Sequence, residues 1–248
     1  MSSFKDHFSS NAAGYATYRP TYPASLVTYL AAVAPGRDLA IDCGCGTGQL
    51  SVPLAERFTR VVATDASASQ IANAQPHPRV EYRVGAAEDT GEPSQTADLI
   101  TVAQAAHWLD LDVFYREVRR VVRPGGIVAL ITYGVVHVAA GDVDRVVQDF
   151  YANIIGTYWP PERRHVDSGY RDLPFPFEEL SAPPLDIEVT WSRAAFLGYV
   201  DTWSAVRAAE KAVGPEVVER FARMLSAHWP DDERHVVRWP LSLRVGRV

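Results

Sequence analysis

Apolar residues in "ASLVTYLAAVA" (24–34) recur at helical spacing, and Pro23 before them suits a first turn, so the spacing predicts a helix. The next run, "DLAID" (38–42), is short, apolar in its middle and stopped by glycines, which predicts a buried strand. "LSVPLAERF" (50–58) returns to a helical pattern, with Pro53 tolerable only in its first turn. "RVVATD" (60–65) reads as a second strand. Ser67 and Gln70 have the S-x-x-Q spacing of a capping box that opens another helix. "VEYRV" (80–84) and "ADLITVAQ" (97–104) predict a third and a fourth strand. In "LDVFYREVRRVV" (111–122) the apolar residues fall at 111, 114, 115, 118, 121 and 122, one face of a helix. "RPGG" (123–126) predicts a turn and "IVALITY" (127–133) a fifth strand.

Strands alternating with helices through residue 133 imply an α/β fold with a parallel, doubly wound sheet. The pattern then changes. "LDIEVTWS" (185–192) and "WPLSLRVGRV" (239–248) read as late strands around a helical stretch, 194–227. Between them and the fifth strand lies 154–180, rich in proline, aromatics and arginine, with little periodicity. A long irregular segment inside a domain is commonly functional, and its aromatics favour an ordered cap over a disordered loop.

The 248 residues are 47% hydrophobic with a formal charge of −6, which suits one large domain and argues against a nucleic-acid partner. Both cysteines, Cys43 and Cys45, sit two residues apart in one loop. With no second cysteine pair or histidine spacing nearby, they read as small packed residues and not as metal ligands; no metal site is expected. The start, "MSSFKDHFSS", has no apolar signal core. The longest apolar stretch, about 127–140, is interrupted and too short to span a bilayer. The expectation is a cytoplasmic protein with no membrane or nucleic-acid partner. The sequence carries no signature of an oligomeric state.

"LAIDCGCGTGQL" (39–50) links the first strand to a helix through Gly44-x-Gly46-x-Gly48. Loops at this position bind nucleotides in open α/β sheets. A dinucleotide fingerprint would have a small residue where Gln49 stands. Asp65 ends the second strand 19 residues after Gly46, where an acid can accept both hydroxyls of a ribose. Asp42 would repel a phosphate at the loop. S-adenosylmethionine has the ribose and adenine, but a sulfonium and an ammonium in place of pyrophosphate, and a carboxylate near two cations is favourable.

These segments resemble the motifs of class I S-adenosylmethionine-dependent methyltransferases: "DCGCGTGQ", then "VVATDAS", "GAAEDT" and "ADLITVAQAAHW", followed by "REVRRVVRPGGIVAL". "FSSNAAGYATYRPTYP", "AQAAHW" and the cap "WPPERRHVDSGYRDLPFPFEEL" are similar to the branch containing trans-aconitate methyltransferases. The resemblance implies a Rossmann-like seven-stranded sheet with its last strand antiparallel and a small helical or irregular cap. It implies one methyltransferase domain: an N-terminal segment (1–37) closing over the cofactor, a cofactor-binding half (38–135), a substrate cap (about 140–180) and C-terminal strands and helices (185–248). It also implies that Gly44, Gly46 and Gly48 let the backbone approach the cofactor. Asp42 would lie by the methionine portion, Asp65 on the ribose, and Ala66, Ala87 and Glu88 by the adenine. Gln104 would sit close to the reactive methyl, and Tyr15 and Arg19 would close over the cofactor, the arginine suiting its carboxylate. Ala86 stands where many relatives have an aspartate for the adenine amino group; Glu88 or Asp89 would substitute.

On the acceptor side, His107 is the candidate general base, or a histidine that shapes the pocket floor. Trp108 either contacts the acceptor or packs. Tyr133 ends the fifth strand facing the substrate position. Arg163 and Arg164, with Trp159 and Tyr170, form either a closing lid whose arginines bind a carboxylate or a surface loop with ordinary ion pairs. The expected function is methyl transfer to a small-molecule acceptor, first the O-methylation of a carboxylic acid. N-, C- or O-methylation of a heterocyclic or phenolic natural product is the alternative. A non-catalytic S-adenosylmethionine-binding protein and a nicotinamide-dependent oxidoreductase are the readings from other classes.

Overall fold

Helix and strand alternate in the computed structural model, which describes residues 20–248. Helix α1 (Ala24–Val33) leads to strand β1 (Leu39–Cys43), α2 (Ser51–Ala55), β2 (Arg60–Asp65), α3 (Ala68–Ala72) and β3 (Val80–Val84). Then come β4 (Ala97–Ala103), α4 (Leu111–Val121) and β5 (Val122–Tyr133). The order β3-β2-β1-β4-β5 is parallel at every pairing. Its inner strands β2, β1, β4 and β5 are covered on both faces, which is why they read as continuous apolar runs, whereas the edge strand β3 is only half-buried. Along β5, Ile127, Ala129 and Ile131 join one core while Val128 and Leu130 join the other. Helix α4 closes the second core with Phe114, Tyr115, Val118 and Val121, and Asp110 caps it by accepting from the Val113 amide. Half of the predicted box before α3 forms: Ser67 Oγ accepts from the Gln70 amide, while the Ser67 amide donates to Asp65 and not to the Gln70 side chain.

The second half holds β6 (His137–Val138), α5 (Gly141–Asp149), a wide turn (Phe150–Ile154), a single turn (Gly156–Tyr158) and α6 (Arg163–Asp167). Strands β7 (Glu178–Leu180) and β8 (Leu185–Ser192), helices α7 (Arg193–Val200), α8 (Ser204–Val213) and α9 (Glu216–Ser226), and strand β9 (Arg234–Arg247) follow. Strand β9 runs antiparallel to β5 and to β8, as expected for the last strand. The sheet has nine segments where seven strands were expected, because two of its positions are interrupted. The short β6 pairs with β9 beyond β5, and β7 and β8 share the other edge of β9.

Strand β9 starts at Arg234, five residues before the sequence places it. Pro240 lies inside the strand as read from the sequence, although proline cannot donate to a ladder. Its carbonyl accepts from the Gly134 amide, in the gap between β5 and β6, so the missing N–H faces a break in the neighbouring strand. Helix α2 ends at Ala55, short of the expected 58. Arg123 pairs with the fully buried Asp98, whose other oxygen accepts from the Asp38 and Leu39 amides. Among the described residues no helix is long and apolar enough to cross a membrane.

Candidate active site

The strand order reverses between β1 and β4, and the carboxyl ends of these strands open the crevice where such sheets bind ligands. A cavity of about 660 Å3 lies there, within the range of small-molecule sites. The loop after β1 forms one wall. Gly44, Gly46 and Gly48 have φ of +66°, +57° and +94°, left-handed values that favour glycine. At Gly44 the need is also steric, because a Cβ there would lie 2.6 Å from the Ala105 Cβ. The loop is tied to the end of β2: the Cys45 amide donates to the Thr64 carbonyl and the Gly46 amide to Asp65 Oδ2 at 2.9 Å. The other Asp65 oxygen accepts from the Ser67 amide at 2.8 Å. Asp65 therefore fixes the loop and the start of α3 while lining the cavity.

Asp42 lines the same wall and is only 1% exposed. Ser51 Oγ donates to one of its oxygens at 2.6 Å and Thr101 Oγ1 to the other at 2.8 Å. Burial pushes its pKa up to about 6; the two hydroxyl bonds oppose the rise and the Asp65 charge adds to it. Five carboxylates, Asp42, Asp65, Glu88, Asp110 and Glu162, line the cavity, and no lysine, arginine or histidine among the described residues does. This wall is hostile to a pyrophosphate and suits a nucleoside with a cationic tail. The residues present thus fit S-adenosylmethionine. No cluster of ligating side chains that could hold a metal occurs among the described residues.

Most residues expected around the cofactor meet here. Asp42, Gly44, Gly46, Asp65, Ala66, Ala87, Glu88 and Gln104 all line the cavity, as do Trp108 and Tyr133 on the acceptor side. Tyr15 and Arg19 lie outside the described residues. Gly48 stands off the wall, where a Cβ would strike the Tyr82 hydroxyl. Ala86 lines the cavity, and so does Glu88 of the two proposed substitutes, with one oxygen engaged. Glu88 Oε1 accepts from the Asp110 amide, and Asp89, off the wall, accepts from the Gly91 amide.

The cap residues have other partners. Arg163 pairs with Asp167 at 3.1 Å, and its guanidinium lies 4.8 Å from the Trp159 ring centre. Trp159 packs against Tyr151 and Trp203. Arg164 is exposed. None of Trp159, Arg163, Arg164 and Tyr170 lines the cavity, and nor does His107. His107 Nδ1 lies 2.8 Å from the fully buried Tyr170 hydroxyl. Burial pushes the pKa of His107 down to about 4, helped by Arg163 and His165, so the ring is neutral near pH 7. Cys43 and Cys45 are buried, and burial pushes both thiols up, as packed residues and not nucleophiles.

Several lining residues escaped the sequence reading: Tyr22, Leu50, Gln70, Asp110 and Glu162 among them. Two carried a signal. Gln70 belongs to the capping box, and Asp110 is the cap of the helix that follows β4. Glu162 carried none, since only the fold of the cap turns it to the cavity.

Comparison with known proteins agrees with this geometry. A family model described as a methyltransferase domain matches residues 41–130. A Dictyostelium discoideum protein, provisionally named a methyltransferase, is 36% identical over 245 residues, 96% of this chain and 93% of that one. A ubiquinone biosynthesis O-methyltransferase of Mesorhizobium japonicum is 37% identical over 98 residues, 37% of this chain and 39% of that one. A solved structure from Anaeromyxobacter dehalogenans, provisionally titled a type II methyltransferase, superposes with a TM-score of 0.89 at 50% identity, covering 93% of this chain and 98% of that chain. With a relative and a solved structure both aligned almost end to end, the chain belongs to the class I S-adenosylmethionine-dependent methyltransferases.

Proposed function

We propose that this enzyme methylates an oxygen of a small organic acceptor, first of all a carboxylic acid. The observation that carries the reading is that the described cavity wall offers carboxylates but no histidine as a base. His107 is off it, and Asp42 has both oxygens occupied by Ser51 and Thr101. A carboxylic acid is already ionised near pH 7 and needs no base. The sequence likeness to the trans-aconitate methyltransferase branch supports the same acceptor. The O-methyltransferase named among the relatives supports transfer to oxygen.

In this reading the cofactor supplies a methyl group activated by its sulfonium, which also provides the positive charge that an acceptor carboxylate meets. Asp42 holds the cationic tail, Asp65 takes the ribose hydroxyls beyond its two amide donors, and Ala66, Ala87 and Glu88 flank the adenine. Gln104, Trp108 and Tyr133 border the acceptor. Arg163 braces the cap and, like the exposed Arg164, does not clamp the acceptor, so alignment and exclusion of water do most of the work. Residues about 140–180 form the substrate cap.

Glu162 on the wall favours a second reading, an acceptor that donates a hydrogen bond, such as a phenol or an amine. Mass spectrometry separates the two. The protein is incubated with S-adenosylmethionine and a panel of small acids, phenols and amines, and products heavier by one methylene are sought. Methyl esters are expected. Methylated phenols or amines with no ester would overturn the acid reading.

A further inference from the structure

Of the cap segment, about 140–180, Glu162 alone reaches the cavity wall among the described residues. It directly precedes α6, and the chain after α6 is fastened to the β4, β5 and β9 end of the sheet. The Tyr170 hydroxyl lies 2.8 Å from His107 Nδ1, just past β4. Arg244 of β9 donates to the Tyr170 and Leu173 carbonyls at 3.1 and 2.7 Å. Asp65 stands at the end of β2, and Ala87 and Glu88 follow β3, toward the opposite end of the strand order. Glu162 therefore belongs with Trp108 and Tyr133, on the acceptor side of the crevice.

Glu162 is half-buried, yet its side chain makes no hydrogen bond or ion pair among the described residues. It stands at the N-cap of α6 without capping it. The cations of the cap are turned elsewhere. Arg163 pairs with Asp167, His165 Nδ1 lies 2.8 Å from Asp172, and Arg171 donates to the Ser168 carbonyl. None of these three lines the cavity, and nor does Arg145 or Arg164. A half-buried carboxylate has lost part of its hydration, and only a donor or a cation restores that loss. An acceptor with a second anionic group would meet Glu162 with no cation of the cap to offset it, whereas one with an ammonium group brings the missing partner. The neighbouring aromatic rings suit a cation too.

We propose that Glu162 is the residue that selects the acceptor, by pairing with a protonated amine on it. The acceptor is an amino-bearing carboxylic acid with an apolar body. Glu162 holds its ammonium group, and a carboxylate oxygen takes the methyl. In that transfer the C–O bond forms as the C–S bond breaks, the pair stays on sulfur, and no proton is released. The methylated atom rests on the acid reading above; the contact between Glu162 and a cation does not.

Matched compounds test it on the full-length protein saturated with S-adenosylhomocysteine. The probes are phenylalanine, leucine, tryptophan and 4-(aminomethyl)benzoic acid, each beside its N-acetyl derivative and its amine-free acid. Affinities are read by NMR titration and methyl esters, with S-adenosylmethionine instead, by mass spectrometry. At least one amine-bearing acid is expected to bind about tenfold more tightly than its two counterparts. Glu162→Gln is expected to abolish that preference and Glu162→Lys to reverse it, with S-adenosylhomocysteine affinity changed by less than about threefold in Glu162→Gln. No binding by any probe, no preference for the amine, or a preference that survives Glu162→Gln overturns the proposal. A loss of about tenfold or more in S-adenosylhomocysteine affinity in Glu162→Gln also overturns it, by assigning Glu162 to the cofactor. Methyl esters formed equally with and without the amine sink the proposal and leave the acid reading standing. Methylation at nitrogen with no ester, its selection still lost in Glu162→Gln, sinks the acid reading and leaves the Glu162 contact standing.

Discussion

Replacing Asp42 by asparagine should stabilise the ligand-free protein and weaken its hold on the cofactor, and both effects have a calculable size. The shift from 3.8 to about 6 has a definite sign. Between those values the unfolded chain has released its proton while the folded one retains it. Stability therefore falls as pH rises through that window and stays lower above it, by about 3 kcal/mol for a shift of this order. Asparagine carries no such cost. Its new donor also has an acceptor waiting: Thr101 Oγ1 lies 3.3 Å from the Ile41 carbonyl, so the hydroxyl can turn to that carbonyl and accept from the amide. Losing the charge removes a charge-assisted contact to the cationic tail, which costs about 1.5–3 kcal/mol, or about 10- to 150-fold in affinity. Urea unfolding of the free proteins at about pH 8 and about pH 5 measures the first effect, with the variant's advantage at the lower pH about half that at the higher. Calorimetric titration with S-adenosylmethionine measures the second. An asparagine variant less stable than wild type at both pH values, or one that binds the cofactor equally well, would refute the reasoning.

Two further substitutions probe the frame of the site. Gly44→Ala places a Cβ 2.6 Å from that of Ala105 at a φ of +66°. It should cost about 1–3 kcal/mol of stability and more than about tenfold in S-adenosylhomocysteine affinity, read by thermal unfolding and calorimetry; unchanged binding would contradict the close approach of the loop. Glu117 accepts from the Thr90 amide and hydroxyl and pairs with Arg120. Burial alone would raise its pKa, but Arg120 and Thr90 outweigh it and hold the carboxyl below its usual range. The stability it contributes is thus present above the ordinary glutamate pKa and lost as pH falls through the lower folded value. Glu117→Gln should cost about 1–3 kcal/mol near pH 7 and progressively less in acid, by urea unfolding; an equal loss at every pH would count against the ion-pair account.

The cofactor half was legible because its signals are local. Asp42, the glycines and Asp65 lie within 24 positions, and the pattern around them fixes a strand, a turn and a strand in sequence order. The acceptor half was legible only in outline. Arg163 and Asp167 stand at the i,i+4 spacing of a helical ion pair, a signal present in the sequence that would have kept Arg163 from the lid reading. The partnership of His107 with Tyr170 had no such signal, since 63 residues separate them and only the return of the cap against β4 and β5 joins them. Glu162 belongs to the same class. Pro240 is tolerated within β9 because of a gap between β5 and β6 that one strand's sequence does not display.

The central claim is that the crevice at the end of β1 holds a nucleoside with a cationic tail and rejects a polyphosphate. Calorimetry of the same protein sample with S-adenosylmethionine and, separately, with NAD tests it most directly. The account predicts saturable one-to-one binding of S-adenosylmethionine and no heat of binding from NAD. Binding of NAD with none of S-adenosylmethionine would contradict it.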